Sequence, residues 1–483
     1  MDGGIHPRNG VLLRHLLTST LLLFSAAGYS QTQPSVPPQQ PPSAAVSVPT
    51  LNPQDMPPPV ERERSSDYQG PAILSRGGAA SVSREDLTTL RPYISINGIY
   101  DTDLTTFSLD SSGQIPSDDG YGTEALVGLT GSHSWSKTWL DLDYRGSFRH
   151  YTQRTYYDGI DNSLDVTVRH QKSRKLIFEL GQSAARYSRS FFLPAGFGMT
   201  YNPLSASLTQ NDLFDTPTTV LMSVGRAIYQ KSVRLAFGGQ GTGFLVRRRS
   251  EALAGATGFG AAGDITYRLS RFQTIGVDYS FNRFDYTGMF GSSDIHGIAF
   301  NYAARLSKRW EMALRLGGYR IETSRLTRVT LDPVLAAIFG RQTGIDIFHG
   351  VGYSPLAEIR FTRGFRRGSW TVAYGRSVAP GNGVYLTSNY DNARTGFTYN
   401  GWRRVSIHGE AAYSSYSSLS QSLGKYENYT AGGGASVKLS KSFSLVTRVA
   451  GRRYNISESY RREAFRATVG LAWSPGDYPL SIW

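Results

Sequence analysis

From Pro92 onward the chain alternates. In Phe443–Ala450 one parity reads Phe, Leu, Thr, Val and the other Ser, Val, Arg, Ala; in Phe465–Trp473 one parity is wholly apolar and the other is Arg, Thr, Gly, Ala. Trp310, Met312, Leu314 and Leu316 alternate with Glu311, Ala313 and Arg315, while Leu140, Leu142, Tyr144 and Phe148 alternate with Asp141, Asp143, Arg145 and Arg149. A repeat of two is the mark of a strand with two unlike faces, because successive side chains leave a pleated backbone on opposite sides. Between these segments one short phrase returns, polar and basic, followed by an aromatic or apolar residue that reopens the alternation. It stands at Ser134–Lys137, Gln171–Arg174, Gln230–Ser232, Leu269–Phe272, Leu306–Trp310, Arg366–Trp370, Gly401–Arg404 and Leu439–Phe443. Successive turns fall roughly 35 to 40 residues apart, or about 60 in two places, so each period holds two strands and a longer loop.

A soluble sandwich also alternates, with its apolar side in a core and its polar side in water. Tryptophan placement separates the two. Trp135, Trp139, Trp310, Trp370, Trp402 and Trp473 all stand beside predicted short turns, which collects them at one rim. An indole has an apolar body and one N–H donor, a combination satisfied at a membrane–water boundary. With this girdle and these two-faced segments the chain resembles bacterial outer-membrane β-barrels of porin type, over about residues 92 to 473. The resemblance implies an all-β fold, a transmembrane antiparallel up-and-down barrel. Eight short turns pair sixteen strands, and Pro92–Thr105 and Glu463–Trp473 add one at each end, giving about 18, with 16 if one hairpin is misread. Both termini then lie on the periplasmic side. Barrels of this kind commonly end on an aromatic residue, a role for Trp473; the ten residues that follow, ending at Trp483 and interrupted by Pro475 and Pro479, depart from that pattern.

The first 30 residues place Arg8 and Arg14 before the apolar segment Leu16–Phe24 and the small residues Ser25–Gly28, the order of a secretory signal peptide. No later stretch approaches the roughly 18 apolar residues of a helical span, so any membrane passage must use strands. Residues 31–70 are a proline-rich, disordered periplasmic linker by composition, residues 71–91 a pre-barrel segment, and 92–483 the barrel. Zero cysteines exclude disulfides, thiolate metal sites, a cysteine nucleophile and a lipidated cysteine. The net charge of +14 suggests nucleic acid or an anionic surface, but the arginines are scattered singly through alternating segments, so no nucleic-acid partner is expected.

Two constellations look chemical. Gly258–Gly263 matches a dinucleotide-binding glycine pattern, yet Asp264–Leu269 continues as a strand where a helix is required, so the glycines read as relief in a curved strand. His408, Glu410, Ser406 and Ser414 share one strand face, as a hydrolase triad would need, but same-face neighbours stand roughly 7 Å apart and need cross-strand partners. No metal spacing occurs among the 8 histidines, and no cofactor is expected.

The sharper set is charged and inward. Arg145, Arg149, Arg315, Arg360, Arg448 and Arg466 fall near mid-height on the lumen parity, with Glu179, Asp278, Glu358, His408 and Glu410. Either these hydrate and cross-link the wall, or their basic excess makes an anion-favouring field. Two long connections are candidates to narrow the pore, through Phe191, Phe192 and Phe197 in one and Leu335 and Phe339 in the other; Asp332–Gly340 carries the cap, proline and closing glycine of a short helix. The expectation is a non-enzymatic outer-membrane channel for diffusion of polar, preferentially anionic solutes, with an exporter or assembly barrel for acidic exopolysaccharide as the alternative and an outer-membrane hydrolase as a third class. Its partners are outer-membrane lipid, the barrel insertion machinery, and the solutes or acidic polysaccharide.

Overall fold

A computed structural model describes residues 88–105, 117–152, 158–188, 217–249, 253–287, 291–330, 343–384, 386–399, 402, 404–419, 424–457, 460–475 and 478–480. The expected signal peptide and linker, most of the pre-barrel segment, both long-connection candidates (Phe191, Phe192, Phe197, Leu335, Phe339) and Trp483 lie outside the described residues. Eighteen long strands follow one another: β1 (Thr88–Thr105), β2 (Ser117–Ser134), β3 (Thr138–Tyr151), β4 (Gly159–Gln171), β5 (Leu176–Tyr187), β6 (Thr218–Gln230), β7 (Leu235–Arg248), β8 (Gly255–Arg268) and β9 (Gln273–Thr287) form one half. The other half is β10 (Gly291–Arg305), β11 (Trp310–Thr330), β12 (Thr343–Phe365), β13 (Gly368–Ala379), β14 (Ser388–Tyr399), β15 (Val405–Ser418), β16 (Lys425–Lys438), β17 (Phe443–Ser457) and β18 (Tyr460–Trp473).

Every strand pairs antiparallel with its neighbours in sequence, and β1 pairs with β18 from Ile94–Trp473 to Asp101–Arg466, so the sheet closes on itself. The chain is a closed 18-stranded antiparallel barrel, the larger of the two expected counts. Its first strand opens at Thr88 rather than Pro92, and a short β19 (Tyr478–Leu480) pairs with Thr88–Leu90 below the closure. Closure gives each of the eighteen strands two neighbours, which a wall facing hydrocarbon requires.

The ladders carry the alternation from strand to strand. Ile265, Val277, Phe300 and Leu316 stand opposite one another across β8–β11 and are exposed on the outer face. Ile96, Leu471 and Val469 continue that face across the closure. Trp310 and Trp370 flank Arg363 on it at the short-turn rim, with ring centroids 6.4 Å apart, edge to face. The Trp370 Nε1–H donates to Thr395 Oγ1 (2.9 Å), which settles the donor an indole would otherwise strand in lipid. Higher on the outer face stands a second belt: Tyr100, Tyr121, Tyr374, Tyr413 and Tyr429. The two belts bracket an apolar band, as a bilayer demands.

Five of the short turns share one construction. Ser173, Ser232, Ser307 and Ser440 each accept, at Oγ, the backbone N–H two and three residues on, between 3.0 and 3.3 Å. Ser270 accepts that of Phe272 in the same way. The serine bends the chain. Toward the loop end the inner face is packed: Phe244, Val246, Phe284, Ile295, Ile321 and Leu356 form one cluster with Val378, and Tyr390, Tyr416, Tyr426 and Tyr454 form another.

Candidate functional site

The glycine pattern at Gly258–Gly263 lies within β8. Gly258 faces inward, where an added Cβ would meet the Phe244 ring at 2.5 Å, so it makes room for an aromatic in the wall. His408 and Glu410 both face the lumen from β15, but Glu410 is held by Arg448 (2.8 Å), and Ser414 accepts from Asn428 Nδ2 (3.4 Å). Among the described residues no group of three or more His, Asp or Glu could hold a metal.

All six arginines singled out on the lumen parity lie on the inner face of the ladder. Arg145 meets Asp143 at 2.6 Å, Arg149 meets Asp161 at 2.6 Å, Arg448 meets Glu410, and Arg466 meets Asp101 at 2.5 Å. Arg315 sits between Asp278 (2.7 Å) and Glu358 (3.2 Å), with Asn301 Nδ2 donating to the same Asp278 at 2.6 Å. Three residues chosen separately from sequence thus form one cluster on β9, β11 and β12. Arg466 and Asp101 also meet the Tyr151 hydroxyl, joining β18, β1 and β3 at the closure. Glu179 lies inward on β5, level with Arg169 and Arg226 on its neighbours. Arg360 lies inward on β12 between Ala313 and Ala373.

Pairing cancels much of a field built from these arginines, but the remaining wall charge is segregated. The inner face of β2–β5 carries Glu124, Asp141, Asp143, Asp161, Asp165 and Glu179 against Arg145, Arg149 and Arg169. The inner face of β12–β17 carries Arg360, Arg394, Arg448 and Arg452 against Glu358 and Glu410. In a ring of eighteen β12 and β14 stand half a turn from β3 and β5, so Arg360 and Arg394 face the acidic arc across the lumen, while β17 lies three strands from β2. Sequence alternation told inward from outward; it could not tell which strands stand opposite.

Trp139 is apart from the other tryptophans. It lies on the ladder face of Arg145 and Arg149, with the Arg169 guanidinium 6.0 Å from its ring centre. Trp135 and Trp402 are exposed in short turns, and Trp310, Trp370 and Trp473 lie on the lipid face.

One connection does enter the lumen, and neither long-connection candidate anticipated it. Between β13 and β14, residues 380–383, 386 and 387 are buried. The Ala254 N–H donates to the Gly383 carbonyl (3.0 Å), the Tyr286 and Thr387 hydroxyls meet at 2.7 Å, and Ser293 also reaches Thr387. On the other side the Leu419 N–H donates to the Thr387 carbonyl (2.9 Å). The hairpin therefore spans from β15 to β9 and β10 above the inner wall. Its release has a covalent cause: the β12–β13 ladder stops at Ala357–Arg376, two residues after Pro355, which has no N–H to extend it. Gly383 turns the tip at φ +94°, a conformation that costs a side-chain-bearing residue about 1 to 2 kcal/mol. Freed from the wall, Val378 packs into the apolar cluster and Val384 against the tyrosines.

No protein-family model matches the chain, and no curated protein matches it. Among solved structures it is similar to Pseudomonas aeruginosa OpdQ (11% identity, TM-score 0.38, 82% of this chain and 98% of that one). It is similar as well to Pseudomonas aeruginosa OpdK with vanillate (13%, 0.40, 80% and 98%) and to the FrpB iron transporter of Neisseria meningitidis (8%, 0.39, 76% and 64%). Likeness this slight carries no argument about what the chain conducts, and its architecture rests on its own closed ladder.

Proposed function

We propose that the barrel is a porin-like outer-membrane channel through which small polar solutes diffuse, with anions preferred, its short-turn rim and both chain ends toward the periplasm. The observation that carries this reading is the basic arc on β12–β17, whose Arg360 and Arg394 on β12 and β14 stand half a turn from the acidic strands β3 and β5, beneath the hairpin between β13 and β14. An anion in transit is drawn to one wall and repelled by the other, and a low-dielectric wall strengthens both effects. The hairpin supplies the narrowing that makes wall charge count, since a solute held near the axis of a wide pore stays screened. No step of covalent chemistry is needed; the paired state of Glu410 and Arg448 suits a wall rather than a catalytic base.

A planar-bilayer recording tests it. In a dilute potassium chloride gradient the reversal potential should report anion preference, and Arg360→Gln with Arg394→Gln should move it toward cations. Raising the salt from about 0.1 M to about 1 M shortens the screening length from about 10 to about 3 Å and should shrink both values. Cation preference of the unaltered channel in dilute salt would overturn the reading.

A further inference from the structure

The excess positive charge of the chain is concentrated where conduction makes little use of it. The seven short turns at 135–137, 172–175, 231–234, 269–272, 306–309, 366–367 and 439–442 hold twelve basic residues and no acidic one. In an up-and-down ring all of them open at the same rim, forming a collar. In the turns of Ser173, Ser232, Ser307 and Ser440 the serine, not the lysine or arginine, accepts the N–H groups that make the bend. Directly above the collar, on the outer face, lie Trp310, Trp370, Phe365 and Phe397.

One place on this rim is built more closely. Turns 306–309 and 366–367 are neighbours, tied by the Gly364 N–H donating to the Arg309 carbonyl (2.8 Å). Between them Arg363 points outward, its guanidinium 5.1 Å from the Trp310 ring centre and 5.0 Å from that of Phe365. Its Nε is buried and makes no hydrogen bond. Two rings hold the fork of this arginine at the height of the lipid headgroups, with Lys308, Arg309, Arg366 and Arg367 on either side. Glu311, the nearby carboxylate, faces the lumen and is engaged by Arg305 (2.9 Å).

We propose that this rim binds the headgroups of anionic phospholipids, with Arg363 in its ring clamp as the phosphate-binding centre. A guanidinium presents paired donors to phosphate oxygens, and aromatic rings settle at the glycerol level of a leaflet, so the two together fit a phosphodiester at a membrane surface. A collar without carboxylates selects a headgroup of net negative charge over a zwitterionic one. The aromatic residues above the cations on β11–β14 favour a lipid over a soluble polyanion, which has no acyl chain to lay against rings. The inference needs a membrane-spanning barrel but is independent of what passes through it.

The test is native mass spectrometry of the full chain, folded in detergent with equal amounts of phosphatidylglycerol and phosphatidylcholine. The unaltered protein should retain the anionic lipid preferentially. Arg363→Gln should lower that preference about fivefold, and adding Lys308→Gln, Arg309→Gln, Arg366→Gln and Arg367→Gln should lower it further, while the inner-wall change Arg360→Gln leaves it intact. Heat-modifiable mobility on gels checks that each variant is folded. If the fivefold variant does not fold, Arg363→Gln alone and a salt titration of the unaltered protein decide, since a headgroup preference held by charge falls between 0.1 and 1 M salt. Equal retention of the two lipids, or a preference that survives Arg363→Gln, overturns the proposal. So does a collar that binds dextran sulfate but shows no lipid preference, which would mark it as a surface for soluble polyanions. Unchanged reversal potentials in the Arg363 variant keep this result separate from the channel reading.

Discussion

The two ends of the barrel are held in different ways. At the short-turn rim one local device repeats: a serine Oγ accepts the next two available N–H groups, and basic residues fill the remaining positions. At the loop end the contacts of the inward hairpin join residues far apart in the chain, such as Tyr286 and Thr387, 101 positions distant. The first end is a set of independent, interchangeable parts. The second is a single arrangement whose members depend on one another. Function that needs a specific aperture belongs at the second, and surface properties that need only repetition belong at the first.

If long-range contacts hold more than local ones, then removing one should be costly wherever it lies. The largest expected effect is at the closure: Asp101→Ala leaves the enclosed Arg466 without its carboxylate and should destabilise the folded barrel by about 3 to 5 kcal/mol, read from denaturant unfolding in micelles or vesicles. A loss under about 1 kcal/mol would break the comparison at its root. Next is the wall common to both ends. Val469→Arg, on the lipid face, should cost about 2 to 4 kcal/mol at mid-membrane, while Thr468→Arg, facing the lumen, folds with nearly normal yield; equal yields would mean the faces are misassigned. At the hairpin, Gly383→Ala should strain the tip by about 1 to 2 kcal/mol and loosen it from Ala254, raising single-channel conductance with the global unfolding midpoint little changed. An unaltered conductance would place the aperture elsewhere. The smallest effect belongs to the turns: Ser232→Ala should cost at most about 1 kcal/mol in unfolding, because each turn stands alone.

The same contrast explains what could be seen in the sequence. Period-two alternation marks each strand and its two faces without reference to any partner, and the turn phrase is a local signal, so the strand count was legible. Thr88–Arg91 was not, because it becomes strand by pairing with Gly131, Ser132 and the short β19. Trp139 follows the alternation of Asp141 and Arg145, and nearness to a turn misled where parity would have corrected. The pairing of Arg315 with both Asp278 and Glu358 depends on three strands reaching the same height, and a hairpin leaving the wall depends on a proline 25 residues before it; neither is written as a local pattern. Only Pro355, in the middle of an alternating segment, was a visible irregularity, and a proline inside a predicted strand is the signal to look for a ladder that ends early.

The join between β1 and β18 bears on how the barrel is assembled. Its partners, Asp101 and Arg466, are 365 positions apart, so the chain must be almost wholly made before they can meet. Hairpins from β2 to β17 can zip with near neighbours at small entropic expense, while the first and last strands remain open edges, able to pair with any other strand they encounter. Closure is therefore the late and discriminating event of biogenesis. An ion pair enclosed with a tyrosine hydroxyl gives it a test of correctness that apolar outward side chains do not provide: a seam shifted by one residue turns Arg466 toward lipid and leaves Asp101 facing its own strand's polar wall alone. A chain in that state has a membrane-exposed arginine and a carboxylate without its partner, and remains competent to reopen until the one alignment that pairs them is found.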